Sequence, residues 1–223
     1  TLSGRAVLVR TEDGAVLADS TQPYPHGVMD SCLPDGTPLP PDWALQHPGD
    51  YLHVLVSAVR DVIRKSGVSP ECVIGMAVDC TGSTVVPLDA DRQPLCIHPV
   101  YQSRPHAWVK LWKHHAARAE ADLFTEAAKR EDTDLLLRNG GKISPECLFP
   151  KALQVLREDP MIYRAADLFV EAGDYITLQL TGRLVRSSAP AGLKAFWRKG
   201  LGYPSKAFLE EVDARFADFP SEK

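Results

Sequence analysis

Paired cysteines are missing from this sequence of 223 residues. Cys32, Cys72, Cys80, Cys96 and Cys147 are odd in number and scattered, with no Cys-x-x-Cys unit and no histidine at zinc-ligand spacing. They read as reduced thiols rather than as a disulfide frame or a zinc site. The histidines do not converge in sequence either. Only His114 and His115 are adjacent, and neighbours on a helix point in different directions, so no metal ligand set is expected. No apolar run reaches membrane-spanning length and no signal-peptide pattern stands at the start, which makes a soluble cytoplasmic protein the default expectation. A basic excess is lacking as well. The net charge of -4 argues against a nucleic-acid partner, whose footprint would be clustered lysine and arginine.

What the chain does have is a globular composition, 44% hydrophobic and 24% charged, enough to bury a real core in one large domain or one and a half. The stretch expected to organise it is Val73 to Leu88. The apolar run Val73-Ile74-Gly75-Met76-Ala77-Val78 has the form of a buried strand, and it ends abruptly in Asp79-Cys80-Thr81-Gly82-Ser83-Thr84. In open α/β sheets ligands collect outside the carboxyl ends of strands, so Asp79 to Thr84 is the first candidate site. The same residues also suit a tight turn between two strands.

Around that stretch the elements follow in order. Arg5 to Val9 and Ala15 to Ala18 flank Asp13-Gly14 as a β-hairpin, and the Pro-rich passage Pro23 to Pro48 reads as a surface loop. Leu52, Leu55, Val56, Val59 and Ile63 share a helical face between Pro48 and Gly67, residues suited to a helix start and stop. Ser83 to Ile97 reads as two strands around Asp89 to Arg92. A helical region is expected from Pro105 to about Arg130, carrying Trp108, Leu111 and Trp112 with Lys110, Lys113, His114 and His115 interleaved as a solvated face. Gly140-Gly141 breaks the chain before a helix that ends near Asp159-Pro160, and Gly202-Tyr203-Pro204-Ser205 starts a last one. Lys194, after Gly192, could neutralise a phosphate or simply face water.

Taken together, several strings resemble the amino-terminal domain of the FGGY carbohydrate kinases, and within them the branch acting on ribulose. Thr1-Leu2-Ser3-Gly4-Arg5-Ala6-Val7 is similar to the tail of the family's opening phosphate motif. Trp43 to Pro48, Val78-Asp79-Cys80-Thr81-Gly82, Pro105 to His115, Gly140 to Ser144, Asp174-Tyr175-Ile176 with Leu180-Thr181-Gly182, and Gly202 to Ser205 follow in the family's order. Three positions depart from it: Cys80 replaces an aromatic residue, Ser103-Arg104 an Asp-Asn type pair, and Cys147 a tryptophan.

The resemblance implies an actin-like, ribonuclease-H-like α/β domain, a mixed sheet flanked by helices with its first three strands antiparallel. It would be one domain of a two-domain kinase, spanning 1–223 and truncated at both ends. It implies ATP-dependent phosphorylation of ribulose to ribulose 5-phosphate in arabinose catabolism, with ATP and Mg²⁺ held mainly by the second domain and room for a homo-oligomer. A xylulose or pentitol kinase of the same family, or a non-catalytic sugar-binding module, are the rival readings. By resemblance Asp79, Cys80, Thr81, Trp112 and Glu146 bind the sugar, and Thr1, Ser3 and Arg5 touch nucleotide phosphates. Lys194 lies near the reacting end of the sugar, and the general base is an Asp beyond Lys223. The chain alone is predicted to be inactive.

Overall fold

Glycine and aspartate shape the first turn of the computed structural model, which describes residues 2–223. Gly14 adopts a left-handed φ of 73° and donates its N–H to the Arg10 carbonyl at 2.9 Å, while Asp13 Oδ1 accepts the Ala15 N–H at 3.0 Å. The turn joins β1 (Ser3–Val9) to β2 (Val16–Pro23) antiparallel, as the sequence predicts, with an irregularity between Leu8 and Val9. After β3 (Leu45–Gln46) comes α1 (Pro48–Ser66). His47 Nδ1 caps its start by accepting the Gly49 N–H at 3.0 Å, and Gly67, left-handed at φ 67°, ends it. Its buried face, Tyr51, Val54, Ala58 and Val62, packs on the hairpin. Gly4 makes that approach possible, because a Cβ there would stand 2.5 Å from Val54 Cγ1. The hairpin, α1 and the chain to Asp79 form one compact unit.

The expected strand at Val73–Val78 does not form. The segment carries no strand, Ile74 is 83% exposed, and Val73 and Met76 are exposed too. An apolar run becomes a strand only where a neighbour takes its backbone groups, and none of the described strands pairs with this one.

The second unit comprises Met29–Leu45 and Cys80–Lys223. At its centre lies β4 (Val85–Leu88), every residue buried. Next along the chain come β5 (Val109–Lys110), α2 (Arg118–Glu131), α3 (Thr133–Arg138), α4 (Leu148–Glu158) and α5 (Pro160–Ala165). They are followed by β6 (Leu168–Glu171), α6 (Ala172–Thr181), α7 (Ser188–Lys194), α8 (Lys206–Val212) and α9 (Phe219–Glu222). The sheet order is β3-β5-β4-β6, and β4 is antiparallel to both β5 and β6. A second strand after Asp89–Arg92 reduces to an isolated bridge, Leu88 to Pro94, followed by a single tight helical turn at Leu95–Ile97. In α4 everything from Leu148 to Leu156 is buried, so it is the central helix of the unit. Phe149 on it meets Phe124, Phe196, Phe216 and Phe219, with ring centroids 5.0 to 6.2 Å apart.

The helix expected from Pro105 is corrected in its first half. Pro105–Ala107 is one tight turn, Val109–Lys110 is a strand, and the helix begins only at Arg118. The reason is burial: Trp108, Val109, Lys110 and Leu111 are each at most 4% exposed. Four consecutive buried residues suit a central strand covered on both faces, not a helix with one wet face.

Candidate functional site

Because β4 runs antiparallel to its neighbours, its amino end lies between the carboxyl ends of β5 and β6. Val85 stands opposite Lys110 on one side and Glu171 on the other. The polar stretch Cys80 to Thr84 therefore reaches the sheet at the amino end of β4, not at the carboxyl end of a preceding strand as the sequence suggested. It still meets two strand carboxyl ends, which is where α/β sheets gather ligands. Leu111 and Trp112 leave β5 at this end, and Ala172 leaves β6.

Two side chains converge there. Glu146 precedes the amino end of α4, its N–H donated to Ser144 Oγ at 3.2 Å. Its carboxylate accepts from Lys194 Nζ at 3.0 Å through Oε2 and contacts His115 Nε2 at 3.2 Å through Oε1. Partial burial pushes the Glu146 carboxyl up, but Lys194 and His115 outweigh it and hold the group below its usual range. Lys194 ends α7, and its Cγ lies 4.0 Å from the point a Cβ on Gly82 would occupy. Cys80 packs by its Cβ against Gly173, 3.6 Å from the corresponding point. Thr81 is exposed and Trp112 is 37% exposed, so both present surface to a ligand.

Other expected residues belong to the first unit. Asp79, exposed, is its last residue. Ser3 and Arg5 lie on β1, where the Arg5 guanidinium pairs with Asp19 at 3.2 Å and both side chains are more than half exposed. Thr1 falls outside the described residues. In the same unit His26, His47 and Asp50 lie close enough to suggest a metal group, with His26 Nδ1 2.7 Å from Asp50 Oδ1. The two imidazoles, however, stack at 4.3 Å with planes 13° apart, so their in-plane lone pairs run in nearly parallel planes and do not meet at one ion.

Three further residues of the site carry no motif that marks them as functional in the sequence. His115 is one of a basic face there, and its partner Glu146 is distant in the chain. Lys151, wholly buried, donates from Nζ to the Ser83 carbonyl at 2.6 Å and the Leu111 carbonyl at 2.8 Å. Burial lowers its pKa to about 7 against the opposing pull of Glu171. Glu171, raised to about 7 by burial, accepts the Thr84 N–H at 3.1 Å through Oε2. The signal was present: Lys151 interrupts the apolar run of Leu148, Phe149, Ala152 and Leu153, and Glu171 closes Leu168-Phe169-Val170. A charge inside an apolar run marks a group with buried partners.

Residues 1–196 match the FGGY family of carbohydrate kinases, N-terminal domain. This chain belongs to the FGGY carbohydrate kinase family. It is 52% identical over 216 residues to a protein named ribulokinase from Geobacillus thermodenitrificans, covering 96% of this chain and 38% of that one. It is 46% identical over 226 residues to a ribulokinase from Mycolicibacterium smegmatis, covering all of this chain and 40% of that one. The chain thus spans about two fifths of the length of these relatives. Among solved structures it superposes on a xylulose kinase from Brucella ovis with a TM-score of 0.74 at 18% identity, over 95% of this chain and 39% of the other. A xylulose kinase from Rhodospirillum rubrum gives 0.68 at 22% identity, over 88% and 35%. At those identities the likeness establishes the fold, the actin-like α/β domain of FGGY kinases. No helix among the described residues is long and apolar enough to cross a membrane.

Proposed function

We propose that this chain is the sugar-binding domain of an ATP-dependent ribulokinase, which transfers the γ-phosphoryl group of ATP to the terminal hydroxyl of ribulose. The observation that carries the reading is the Glu146–Lys194 ion pair at the sheet end beside Gly82, in a chain up to 52% identical to proteins named ribulokinase. An ionised carboxylate is a pure acceptor, suited to two sugar hydroxyls. Each side chain of the pair is about a quarter exposed, so a ligand can reach both.

Phosphoryl transfer depends on positioning and charge neutralisation more than on covalent chemistry. In this reading Cys80 and Thr81 form the floor of the sugar site. Trp112 covers an apolar sugar face or donates its indole N–H. Lys194 meets the negative charge that grows on the transferring group. In the first unit, taken by itself, Ser3 and Arg5, with Thr1, would touch nucleotide phosphates. The carboxylate that takes the hydroxyl proton belongs to the rest of the kinase, and so does the metal environment. Glu171 is sealed in the core and offers no open carboxylate oxygen of the kind Mg²⁺ takes.

Assaying the full-length protein with MgATP against a panel of pentuloses and pentitols tests the reading. Ribulose is expected to give the highest kcat/KM. Preference for xylulose or a pentitol would move the assignment to another FGGY kinase, because one changed pocket side chain can redirect a sugar. Sugar binding without turnover of any member would leave a non-catalytic module.

A further inference from the structure

Cys80–Gly82 and Trp112 approach the candidate sugar site from different strands, and neither segment is held there by the sheet ladder alone. Ser83 lies before the first residue of β4 and in the left-handed region, φ 71°, a conformation costly for a serine unless its surroundings hold it. The carbonyl of Leu111 stands just past the last residue of β5. Both residues are buried. The Leu111 carbonyl accepts the His114 N–H at 2.9 Å within its own segment, and the one group that bonds both carbonyls is Lys151 Nζ, at 2.6 Å to Ser83 and 2.8 Å to Leu111.

We propose that Lys151 is a positioning residue of the sugar site, its ammonium fixing the spacing between the Cys80–Gly82 floor and the segment that carries Trp112. The inference rests on the sugar-site reading above. Lys151 has no exposure, so it does not touch the sugar itself. It sits one turn into α4, five residues after Glu146, so the same helix start that presents the candidate carboxylate also carries the cation that gathers the two strand ends. The floor is pinned on its other side as well. Glu171 accepts the Thr84 N–H at 3.1 Å, and the Ala172 N–H donates to the Thr84 carbonyl at 2.8 Å. The carboxylate of Glu171 is the leading favourable charge acting on the Lys151 ammonium. A buried lysine is costly to keep, and an apolar residue would serve a plain core better. What an apolar residue cannot do is bond two carbonyls on separate strands at once.

The test compares Lys151→Met and Lys151→Arg with the parent in the full-length protein, on whichever pentulose the parent phosphorylates. Should the parent turn over a sugar other than ribulose, the substrate reading fails while this experiment proceeds unchanged with that sugar. Folding is checked by circular dichroism and urea unfolding at low temperature. For a folded Lys151→Met enzyme the sugar KM should rise about tenfold to a hundredfold, as loss of alignment does, with the ATP KM within about twofold of the parent. Lys151→Arg, which keeps donors, should recover part of that loss. A folded variant with an unchanged sugar KM, or with sugar and ATP constants rising together, would overturn the proposal. If neither variant folds, the lysine holds up the core as a whole and the positioning role is also refuted.

Discussion

The second unit holds two groups of histidine, lysine and carboxylate side chains, built from the same residue types and opposite in behaviour. In the first, Trp43 is flanked edge-on by His106 and His114 at 4.8 and 4.9 Å, and Lys110 Nζ lies 4.5 Å above its ring. His106 has Lys110 at 3.2 Å on Nδ1 and Glu158 at 3.1 Å on Nε2. His114 accepts the Ala44 N–H at 3.3 Å on one nitrogen and has Gln154 Oε1 at 2.9 Å on the other. Burial dominates here. It lowers His106 to about 4 and Lys110 to about 7, so the imidazole is neutral near pH 7, the lysine gives up its proton far more readily than an exposed one, and the ring nitrogens are satisfied internally. In the second group, Glu146, Lys194 and His115 are a quarter to two fifths exposed, and pairing prevails over burial at Glu146. Satisfied and sealed groups hold a fold together, whereas charged groups that water can reach are free to exchange partners with a ligand.

The largest expected effect tests the open group. If the proposed reading holds, Lys194→Met in the full-length protein should lower kcat by about a hundredfold to a thousandfold, the scale for removing one donor to developing charge, with a smaller change in sugar KM. Normal turnover would place Lys194 with the structural lysines and dissolve the contrast.

Next in size is the acid response of the closed group. His106 binds a proton below about 4 when folded and below about 6.5 when unfolded, so its contribution is fully present above pH 6.5 and is lost as pH falls towards 4. The loss amounts to about 3 kcal/mol. Urea midpoints measured across that window should fall more steeply for the parent than for His106→Gln. Parallel profiles would show that His106 is not neutral in the fold.

Glu146→Gln should be milder, leaving a sugar hydroxyl poorly paired at a loss of about 1 to 3 kcal/mol in kcat/KM. Stability should change by less than about 1 kcal/mol, since a half-open ion pair contributes little to folding. A large stability loss with unaltered kinetics would make Glu146 a core residue after all.

The contrast between the groups also explains what could be read in the sequence. Local chemistry was legible: the Asp13-Gly14 turn, the Pro48 start and Gly67 stop of α1, and the helix ending before Asp159-Pro160 all stand where expected. Glu146 and Lys194 are singled out in the sequence by the family resemblance, not by local chemistry, and only the fold brings them together across 48 positions. What failed depended on partners elsewhere in the chain. Val73–Val78 has strand composition but no paired neighbour, and Trp108–Leu111 has helical spacing but is claimed by β4. Lys110 and Trp112 are two residues apart in one basic, aromatic string, yet one is sealed against Trp43 and the other opens at the sheet end. Residue type cannot separate them: Lys110 is the last residue of β5, inside the sheet, whereas Trp112 lies beyond the strand's end.

The smallest expected effect sharpens the comparison most, because it applies the same substitution to the closed group. Lys110→Met removes a cation whose charged form burial already disfavours, and methionine has a similar length and a thioether that packs well on an indole face. Against this gain, His106 Nδ1 loses its donor, and the ammonium is lost from the Trp43 ring and from the favourable field of Glu158. The opposing contributions are each of the order of 1 to 2 kcal/mol, so the net change in unfolding free energy should stay within about 1 kcal/mol of the parent. Sugar and ATP constants should not move, since no atom of Lys110 reaches the open group. Urea unfolding and steady-state kinetics on one preparation check both expectations. A loss above about 3 kcal/mol would show that Lys110 stays charged and paired in the core, as expected on breaking a buried ion pair. The two groups would then differ in access to solvent but not in protonation.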